Sequence, residues 1–432
     1  MKDDSILYWL WLSERCGIAS KEFGRLMVRY DSPFDLYRLE EEELEQLDGI
    51  SENLKRKLAD KNLDFAYRTK YECSKMGVSL IPYWDSRYPD RLRKLEDPPV
   101  LLYVMGELPN MNDRLCVGMV GTRKISEYGR DSSYKISYEL ASAYAVVVSG
   151  MALGVDGVCA VGALAAGGST VAVLGCGLSV VYPKEHAKLM RAIAKKGAVI
   201  SEYPLGERPF GGNFPKRNRI ISGLCQGVLI VEGAKGSGAL ITATKAGEQG
   251  RDVFALPGKI NESNSEGPND LIRNGAMAVV SSEDILRHYD FLYHDRINYR
   301  GLNEAKREMY PLALALSEYG VADFHTRRTA NKAPVSYQKT EKETEQPVLQ
   351  TETAVCEPTK TEVVPTDEKN QILDTLNPVW VKVLESMPIG RPVTADMLAV
   401  DGIPMADVVV AMTILEVNGL CESLPGGMYL RK

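Results

Sequence analysis

From about residue 114 to residue 290, short apolar runs alternate with longer segments of mixed polarity, and this rhythm restricts the possible folds. Several runs are apolar at every position, which is typical of strands buried on both faces of a sheet. The segments between them, of about 15 to 25 residues, are long enough for crossover helices. We therefore predict an α/β fold with a doubly wound, mostly parallel sheet, whose strands are 115–120, 146–148, 170–174, 198–200, 228–231, 253–256 and 278–280.

The loop after the first of these strands has the residue types of an anion site. Ligands of doubly wound sheets bind at the carboxyl ends of the strands. Here Gly121, Thr122 and Arg123 follow the strand, and Ser126 is placed to cap the next helix. A glycine turn at a helix start presents free N–H groups, and an arginine adds a bidentate phosphate contact. The sequence predicts anion binding here; the alternative is a tight turn whose arginine faces solvent.

Two other loops offer backbone amides in the same way. One follows the strand at 146–148, and its Asp156 either contacts a sugar or a base or caps the next helix. The other follows the strand at 228–231 and lacks the spacing of a Walker A motif, but a serine there can cap a helix. The residues of these two loops that we expect to contact a ligand are Ser149, Gly150, Ser237, Gly238 and Thr242.

A further loop combines glycines with an aromatic residue and a cation. Gly175 and Gly177 follow the strand at 170–174, but Val180 stands where a dinucleotide-binding fingerprint would have its third glycine. Tyr182 and Lys184 come next, at the predicted start of a helix. An aromatic ring beside a cation is a combination used for single-stranded nucleic acid, while an ordinary proline-initiated helix is the alternative.

The segment 214–222, here called the basic segment, is the densest cluster of cations in the chain's glycine-rich region. The whole chain has 52 Lys and Arg against 58 Asp and Glu, so this cluster stands out in a mildly acidic protein. A local basic cluster indicates a phosphate-bearing partner, although a solvated helix start is the alternative. The residues of the segment that we expect to contact this partner are Phe214, Lys216, Arg217, Asn218 and Arg219.

The residue patterns of common catalytic sites do not occur. Neither a G-x-S-x-G elbow nor an H-E-x-x-H motif is found, and the four histidines lie outside the glycine-rich loops. Glu202 and Glu232 follow strands and either form an acid/base pair or cap backbone amides. The eight cysteines lie far apart, without C-x-x-C spacing. We therefore expect a binding protein with no catalytic residues, no metal site and no cofactor.

The flanking segments differ in composition from the central one. Residues 1–105 are predicted to form a small helical domain, 106–295 the sheet domain, 328–372 a disordered linker and 373–432 three short helices with a β-hairpin, the pattern of a winged helix. The apolar run 6–12 follows two acidic residues and is too short for a signal peptide or a membrane span. A cytoplasmic protein without a membrane partner is expected.

With these loops in order, the chain resembles the DprA/Smf family of bacterial DNA-processing proteins. The resemblance covers about residues 80–290 and depends on several ordered motifs rather than on any one. They are Val-Gly-Thr-Arg at 120–123, Ser-Gly at 149–150 with Gly-Val-Asp at 154–156, Val-Leu-Gly-Cys-Gly at 173–177 before Tyr-Pro at 182–183, Ser-Glu-Tyr-Pro at 201–204, Phe-Pro-Lys-Arg-Asn-Arg-Ile-Ile at 214–221, Ser-Gly-Ala-Leu-Ile-Thr-Ala at 237–243 and Leu-Pro-Gly at 256–258.

The resemblance implies an extended Rossmann-like domain that binds single-stranded DNA, forms a homodimer and loads RecA onto that DNA during transformation or recombination. It also implies a helical domain of the SAM or helix-hairpin-helix type in front and a winged helix behind. By the same resemblance, Arg123 and Lys184 are expected to contact DNA, and Phe214 is expected to stack on a base. We infer a binding protein rather than an enzyme.

The chain departs from the family pattern in the loop after residue 149. Leu153 stands where members usually have a basic residue, and Ala160 stands where they usually have a histidine. Both differences bear on that loop alone and leave Arg123, Lys184 and the basic segment unaffected. The alternative function is a nucleotide-processing enzyme of the phosphoribohydrolase type, which has a similar fold and would need Glu202 or Glu232 to activate water.

Overall fold

The computed structural model describes residues 5–322, 378–388, 390–398, 405–417, 420–424 and 428–431. The chain forms two compact units, Met1–Ser336 and Tyr337–Lys432. The first contains an N-terminal group of helices and a large sheet, and the second contains a small sheet with its own helices. The predicted linker at 328–372 lies outside the described residues.

The first unit begins with six helices that share an apolar core. Ser51 is the N-cap of one of them and accepts a hydrogen bond from the Leu54 N–H. The apolar run 6–12 lies in the first helix, where Leu10, Trp11 and Leu12 are fully buried. Among the described residues, no helix has the length and apolar composition needed to cross a bilayer. The helices are α1 (Ser5–Cys16), α2 (Lys21–Arg29), α3 (Pro33–Tyr37), α4 (Glu41–Glu45), α5 (Glu52–Ala59) and α6 (Asp64–Met76).

Two strands follow, in a part of the chain that was predicted to be helical. Strands β1 (Val78–Pro82) and β2 (Leu101–Gly106) pair antiparallel, with the short helix α7 (Asp90–Arg93) between them. Strand β2 also pairs antiparallel with the strand at 198–201 and so extends the large sheet at one edge. The all-helical prediction for 1–105 is therefore wrong after Met76, because residues 101–104 are all buried and complete the sheet instead.

The remaining strands form the predicted parallel core of this sheet. The order of the nine strands is β1-β2-β6-β5-β4-β3-β7-β8-β9, and all pairs from β6 to β9 are parallel. Strand β3 pairs with both β4 and β7, so the winding reverses beside it. The predicted strand bounds are confirmed to within about two residues. The strands are β3 (Cys116–Val120), β4 (Val146–Ser149), β5 (Thr170–Leu174), β6 (Ala198–Ser201), β7 (Gly227–Ile230), β8 (Asp252–Ala255) and β9 (Met277–Ala278).

Helices connect these strands and cover the sheet, as the alternating pattern requires. Helices also continue along the chain after β9. The helices are α8 (Glu127–Ser142), α9 (Val155–Ala165), α10 (Ala187–Lys196), α11 (Asn213–Leu224), α12 (Gly238–Glu248), α13 (Ser263–Arg273), α14 (Ser282–His288), α15 (Asp290–Tyr293), α16 (Tyr299–Arg307) and α17 (Leu312–Tyr319).

The second unit has the element order of a winged helix. A three-stranded antiparallel sheet in the order β10-β12-β11 accompanies three helices, and Val383, Leu384 and Met412 lie in their common core. Its elements are α18 (Pro378–Ser386), β10 (Val393–Thr394), α19 (Ala395–Leu398), α20 (Met405–Val417), β11 (Cys421–Leu424) and β12 (Met428–Arg431).

Candidate nucleic-acid interface

A pocket of about 590 Å³, here called the cleft, opens at the carboxyl edge of the sheet beside β3 and β7. This is the point where the winding reverses, which is where doubly wound sheets bind their ligands. The cleft gathers residues from loops that are far apart in the sequence. Its lining includes these residues predicted to contact DNA: Gly121, Thr122, Arg123, Phe214, Arg217, Asn218, Ser237, Gly238 and Thr242.

The first glycine-rich loop places its cation outward. Arg123 is exposed, as is Lys124, a cleft residue that the sequence analysis did not select. The loop is held by a hydrogen bond of 2.8 Å from the Thr122 N–H to the Glu232 carbonyl. At Gly121 a Cβ would lie 2.5 Å from Val155, so only glycine allows this close approach. The cation is thus carried on a fixed turn.

The sequence predicted that the start of α8 would present free amides to a ligand, but these amides are already hydrogen-bonded within the protein. The buried carboxylate of Glu232 accepts a hydrogen bond of 3.0 Å from the Ser126 N–H and another from the Ser126 hydroxyl. Ser126 in turn accepts from the Gly129 N–H, which is the predicted N-cap. The Glu232 carboxylate therefore occupies the position at this helix start where an anionic ligand was predicted. An anion at this loop would therefore have to contact the side chains that follow Gly121.

Phe214 forms the centre of an aromatic and cationic cluster. Its half-buried ring has the Arg123 guanidinium carbon 5.4 Å from the ring centroid and the Tyr182 ring at a centroid distance of 5.4 Å. Gly175 lies beneath it, since a Cβ there would lie 3.0 Å from the Phe214 ring. The cluster combines a charge for phosphate with flat surfaces for bases. Such an arrangement is suited to single-stranded nucleic acid.

Arg217 lies at the inner wall of the cleft rather than on its rim. It is buried and donates to the carbonyl oxygens of Gly150, at 2.9 Å, and Val173. It also faces Asp156, whose carboxylate accepts from the Gly150 and Ala152 N–H groups. Burial raises the pKa of Asp156, and the nearby Arg217 opposes that shift. Arg217 is thus engaged in holding the glycine-rich loop after β4.

Arg219 points away from the cleft, in contrast to the expected phosphate contact. Its guanidinium is buried, lies 2.6 Å from the Glu202 carboxylate and lies 3.3 Å from that of Asp97. Glu202 also accepts a hydrogen bond from the Ala19 N–H, which links α11 to the N-terminal helices. Because two carboxylates already balance its charge inside the protein, the geometry gives Arg219 a structural role. Glu202 is likewise engaged in this ion pair.

The other predicted residues divide between surface and interior. Lys184 and Lys216 are exposed, but neither lines the cleft. Ser237 precedes α12 without the expected capping bond, and its hydroxyl has no hydrogen-bond partner among the described residues. The predicted residues that are buried, and that do not line the cleft, are Ser149, Gly150, Gly175 and Gly177.

The structure brings a histidine into a glycine-rich loop from a distant part of the sequence. His186 Nδ1 lies 3.0 Å from the Met151 carbonyl oxygen, and a Cβ on Gly157 would lie 2.5 Å from its ring. Burial lowers the pKa of His186. A sequence scan for histidines next to the loops could not find it, because the contact depends on the packing of the 182–186 segment onto α9.

Within the described part of the chain, no three His, Cys, Asp or Glu side chains come together as a metal site would require. The cleft residues that sequence reasoning missed are Lys124 and the 204–212 loop, of which Pro209 and Gly211 line the cleft. The available signal for that loop was its position directly before the basic segment, together with an aromatic and a basic residue of its own.

Comparison with known proteins gives a consistent set of similarities. The family model of DNA recombination-mediator protein A matches residues 79–290. Protein Smf of Escherichia coli K12 is 44% identical over 216 residues, which are 50% of this chain and 58% of that protein. DNA processing protein DprA of Streptococcus pneumoniae is 44% identical over 207 residues, which are 48% of this chain and 73% of that protein.

A solved structure is also similar. The X-ray structure of DNA processing protein A from Streptococcus pneumoniae is 35% identical and covers 59% of this chain. The alignment includes 94% of that chain, with a TM-score of 0.49.

Proposed function

This chain belongs to the DprA/Smf family, the family of DNA recombination-mediator protein A, and we propose that it binds single-stranded DNA in the cleft. The observation that carries the proposal is the exposed Arg123 guanidinium beside the Phe214 ring at the carboxyl edge of the sheet. Arg123 would bind a backbone phosphate, and its plane and the phenyl ring are both surfaces on which a base stacks.

The exposed cations define the path that we propose for the strand. Arg123 and Lys124 lie on one side of the cleft, and Lys216 extends from the first turns of α11 beside it. Lys184 follows Tyr182, which lies in the cleft against Phe214. Phosphates on these cations and bases on the rings would alternate as they do in a single strand. Arg217 would shape the cleft, and Arg219 is not part of the proposed interface.

We further propose that the site binds DNA without cutting it. An enzyme of the phosphoribohydrolase type would need a carboxylate free to activate water. The two candidates are engaged elsewhere, since Glu232 caps α8 and Glu202 pairs with Arg219. A Glu232→Gln variant that destroys a measurable base-releasing activity of the unchanged protein on nucleoside monophosphates would contradict this proposal.

The relatives are described as DNA-processing proteins and the family as recombination mediators. We propose accordingly that this chain acts in the cytoplasm as a homodimer and loads RecA onto the strand held in the cleft. A test is whether the purified protein helps RecA to displace a single-strand binding protein from DNA. Failure to do so, with DNA binding intact, would remove the loading step and leave the binding proposal in place.

Fluorescence anisotropy with labelled oligo-dT over a salt series tests DNA binding. Each phosphate contact in single-stranded DNA contributes about 0.7 to the slope of log affinity against log salt. Arg123→Ala should therefore weaken binding and lower this slope by about 0.7. Lys196→Ala is the matched control, because Lys196 is exposed at the end of α10, on the opposite edge of the sheet.

Two results would overturn the proposed binding site. One is an affinity that does not depend on salt, since phosphate contacts cannot then be present. The other is equal binding by Arg123→Ala and Lys196→Ala, because the cleft would then contribute no more than a random surface cation.

A further inference from the structure

An exposed aromatic residue lies at the rim of the cleft, outside the glycine-rich loops and the basic segment. Phe210 lies in the loop between β6 and α11, and 69% of its surface is exposed. The residues on either side of it, Pro209 and Gly211, both line the cleft. A large apolar side chain exposed next to a binding cleft is a candidate for ligand contact.

The loop that carries Phe210 is fixed at both ends. Its first half is tied to the glycine-rich loop after β5, because the Gly177 N–H donates to the Glu207 carbonyl at 2.9 Å. Its second half joins α11, since the Asn213 N–H donates to the Phe210 carbonyl at 2.9 Å. A Cβ on Gly177 would lie 2.0 Å from the Leu205 oxygen, so this junction depends on glycine. These hydrogen bonds restrain the backbone under Phe210, and a restrained backbone loses less entropy on binding.

The ring of Phe210 is supported on one side only. It rests on Gly212, where a Cβ would lie 3.0 Å from the ring, and most of its remaining surface is open. The exposed charged residues nearest to Phe210 in the sequence are Glu207, Arg208 and Lys216, so cations outnumber the carboxylate in this segment. An open aromatic face among cations has the composition of a stacking platform for a single strand.

We propose that Phe210 is a second base-stacking residue, which holds one further nucleotide of a single strand beyond the one at Phe214. The inference rests on the proposed function, because it extends the same cleft. The strand would enter or leave the cleft over the 208–212 loop, with its base on Phe210 and its phosphate near Lys216. A cleft with two aromatic contacts binds a longer stretch of DNA than a cleft with one.

The test compares oligo-dT of increasing length on the full chain and on the variants Phe210→Ala, Phe210→Tyr and Tyr67→Ala. One stacked base corresponds to at least about a 5-fold change in affinity. Phe210→Ala should lose about 5- to 10-fold on long oligonucleotides, and the loss should vanish on oligonucleotides too short to reach the rim. Its salt slope should equal that of the unchanged protein, because no phosphate contact is removed. Phe210→Tyr keeps the ring and should bind normally.

Tyr67 on α6 is 59% exposed and lies outside the cleft, so Tyr67→Ala controls for the loss of an exposed aromatic residue. Photo-cross-linking of oligo-dT that contains 5-iododeoxyuridine, followed by mass spectrometry, should identify Phe210 directly. Thermal unfolding should be unchanged in Phe210→Ala, which separates lost contact from lost structure.

The outcomes distinguish this inference from the proposed function. If Arg123→Ala weakens binding while Phe210→Ala matches Tyr67→Ala at every length and no cross-link forms at Phe210, the cleft binds DNA and the second contact is refuted. If neither Arg123→Ala nor Phe210→Ala has an effect, both the proposed function and this inference are refuted.

Discussion

Lys216 and Arg217 are adjacent in sequence and carry the same charge, but they belong to different regions of the molecule. Lys216, like Arg123 and Lys184, is exposed to solvent. Arg217 and Arg219 are buried, and their partners are carbonyl and carboxylate groups of the protein itself. The difference shows that a basic segment can serve two purposes at once, since the exposed cations are available to a partner and the buried ones hold the surface that presents them.

The two buried arginines differ in what they hold. Arg219 joins α11 to the N-terminal helices through Glu202 and Ala19. Arg217 joins α11 to the loop after β4 through the Gly150 carbonyl. Together they fix the helix on which Phe214 and Lys216 stand. If this comparison is correct, substitutions in the buried region change stability, and those in the exposed region change the salt dependence of DNA binding.

Arg219→Met should give the largest loss of stability. The substitution leaves the carboxylates of Glu202 and Asp97 without their buried counter-charge, and removing one partner of a buried ion pair costs about 3–5 kcal/mol. Chemical denaturation followed by circular dichroism measures the change in unfolding free energy. Adding Glu202→Gln removes one of the two uncompensated charges and should restore part of the loss.

The matched control is Lys216→Met, three residues away and exposed. Its unfolding free energy should stay within about 0.5 kcal/mol of that of the unchanged protein. Equal stability of the two methionine variants would show that Arg219 contributes no more than a surface cation and would break the comparison.

Arg217→Met should have an intermediate effect of about 1–3 kcal/mol on stability, because it leaves buried carbonyl groups without a donor and removes the cation near Asp156, whose carboxylate keeps its hydrogen bonds from the Gly150 and Ala152 N–H groups. The informative measurement is the salt slope for oligo-dT. Since Arg217 is engaged inside the protein, the salt slope should stay unchanged. Affinity itself falls if the substitution displaces Phe214. A slope that drops by about 0.7, as expected for Arg123→Ala, would mean that Arg217 turns to a phosphate after all.

Much of this arrangement could be predicted from the sequence. The parallel strands were found because strands buried on both faces must be apolar throughout, as 170–174 and 228–231 are. Strand β1 was missed since it lies at the edge of the sheet, where Ser79 is exposed and interrupts the apolar run. The loops of the cleft were identified because glycine, cation and aromatic residues coincide after strands.

The division of the basic segment into exposed and buried cations was not predicted, for a different reason. In α11, Asn213, Arg217, Ile220 and Leu224 recur at three- or four-residue spacing and share the buried face. The periodicity of the apolar residues extends to Arg217, but a charged residue on a buried face is expected only when a partner is known. The partners of the two buried arginines, Gly150 for Arg217 and Glu202 for Arg219, come from distant loops, so the burial could be recognised only once the fold had placed them.

Lys184 and His186 are a second pair of one exposed and one buried basic residue, two positions apart. The contribution of the buried His186 to stability should depend on pH. Burial lowers the pKa of His186, so protonation favours the unfolded chain, whose histidine titrates near its usual value of about 6.5. The contribution of His186 to stability is therefore present above about pH 6.5 and is lost as pH falls from there through the lowered pKa. Asp156 and Glu185 are the nearby charges, and both oppose the shift.

Unfolding measured at several pH values between about 7.5 and 5.5 should accordingly show a smaller loss in His186→Gln than in the unchanged protein. The carboxylates that titrate at lower pH are common to both chains and cancel in this difference. Parallel pH profiles would mean that burial does not lower the pKa of His186 in the folded protein.

Lys184→Ala should change stability least of all. Its side chain is exposed, and surface substitutions of this kind stay within about 0.5 kcal/mol. Its effect should appear in binding instead, as a decrease of about 0.7 in the salt slope, if the strand passes from Phe214 over Tyr182 to the 184 position. Lys184 does not line the cleft, so this measurement asks how far the path extends. An unchanged slope would end the path at Tyr182 and limit the proposed phosphate contacts to Arg123, Lys124 and Lys216. A decreased slope would extend the DNA-binding surface to Lys184, in the segment that His186 holds against the Met151 carbonyl.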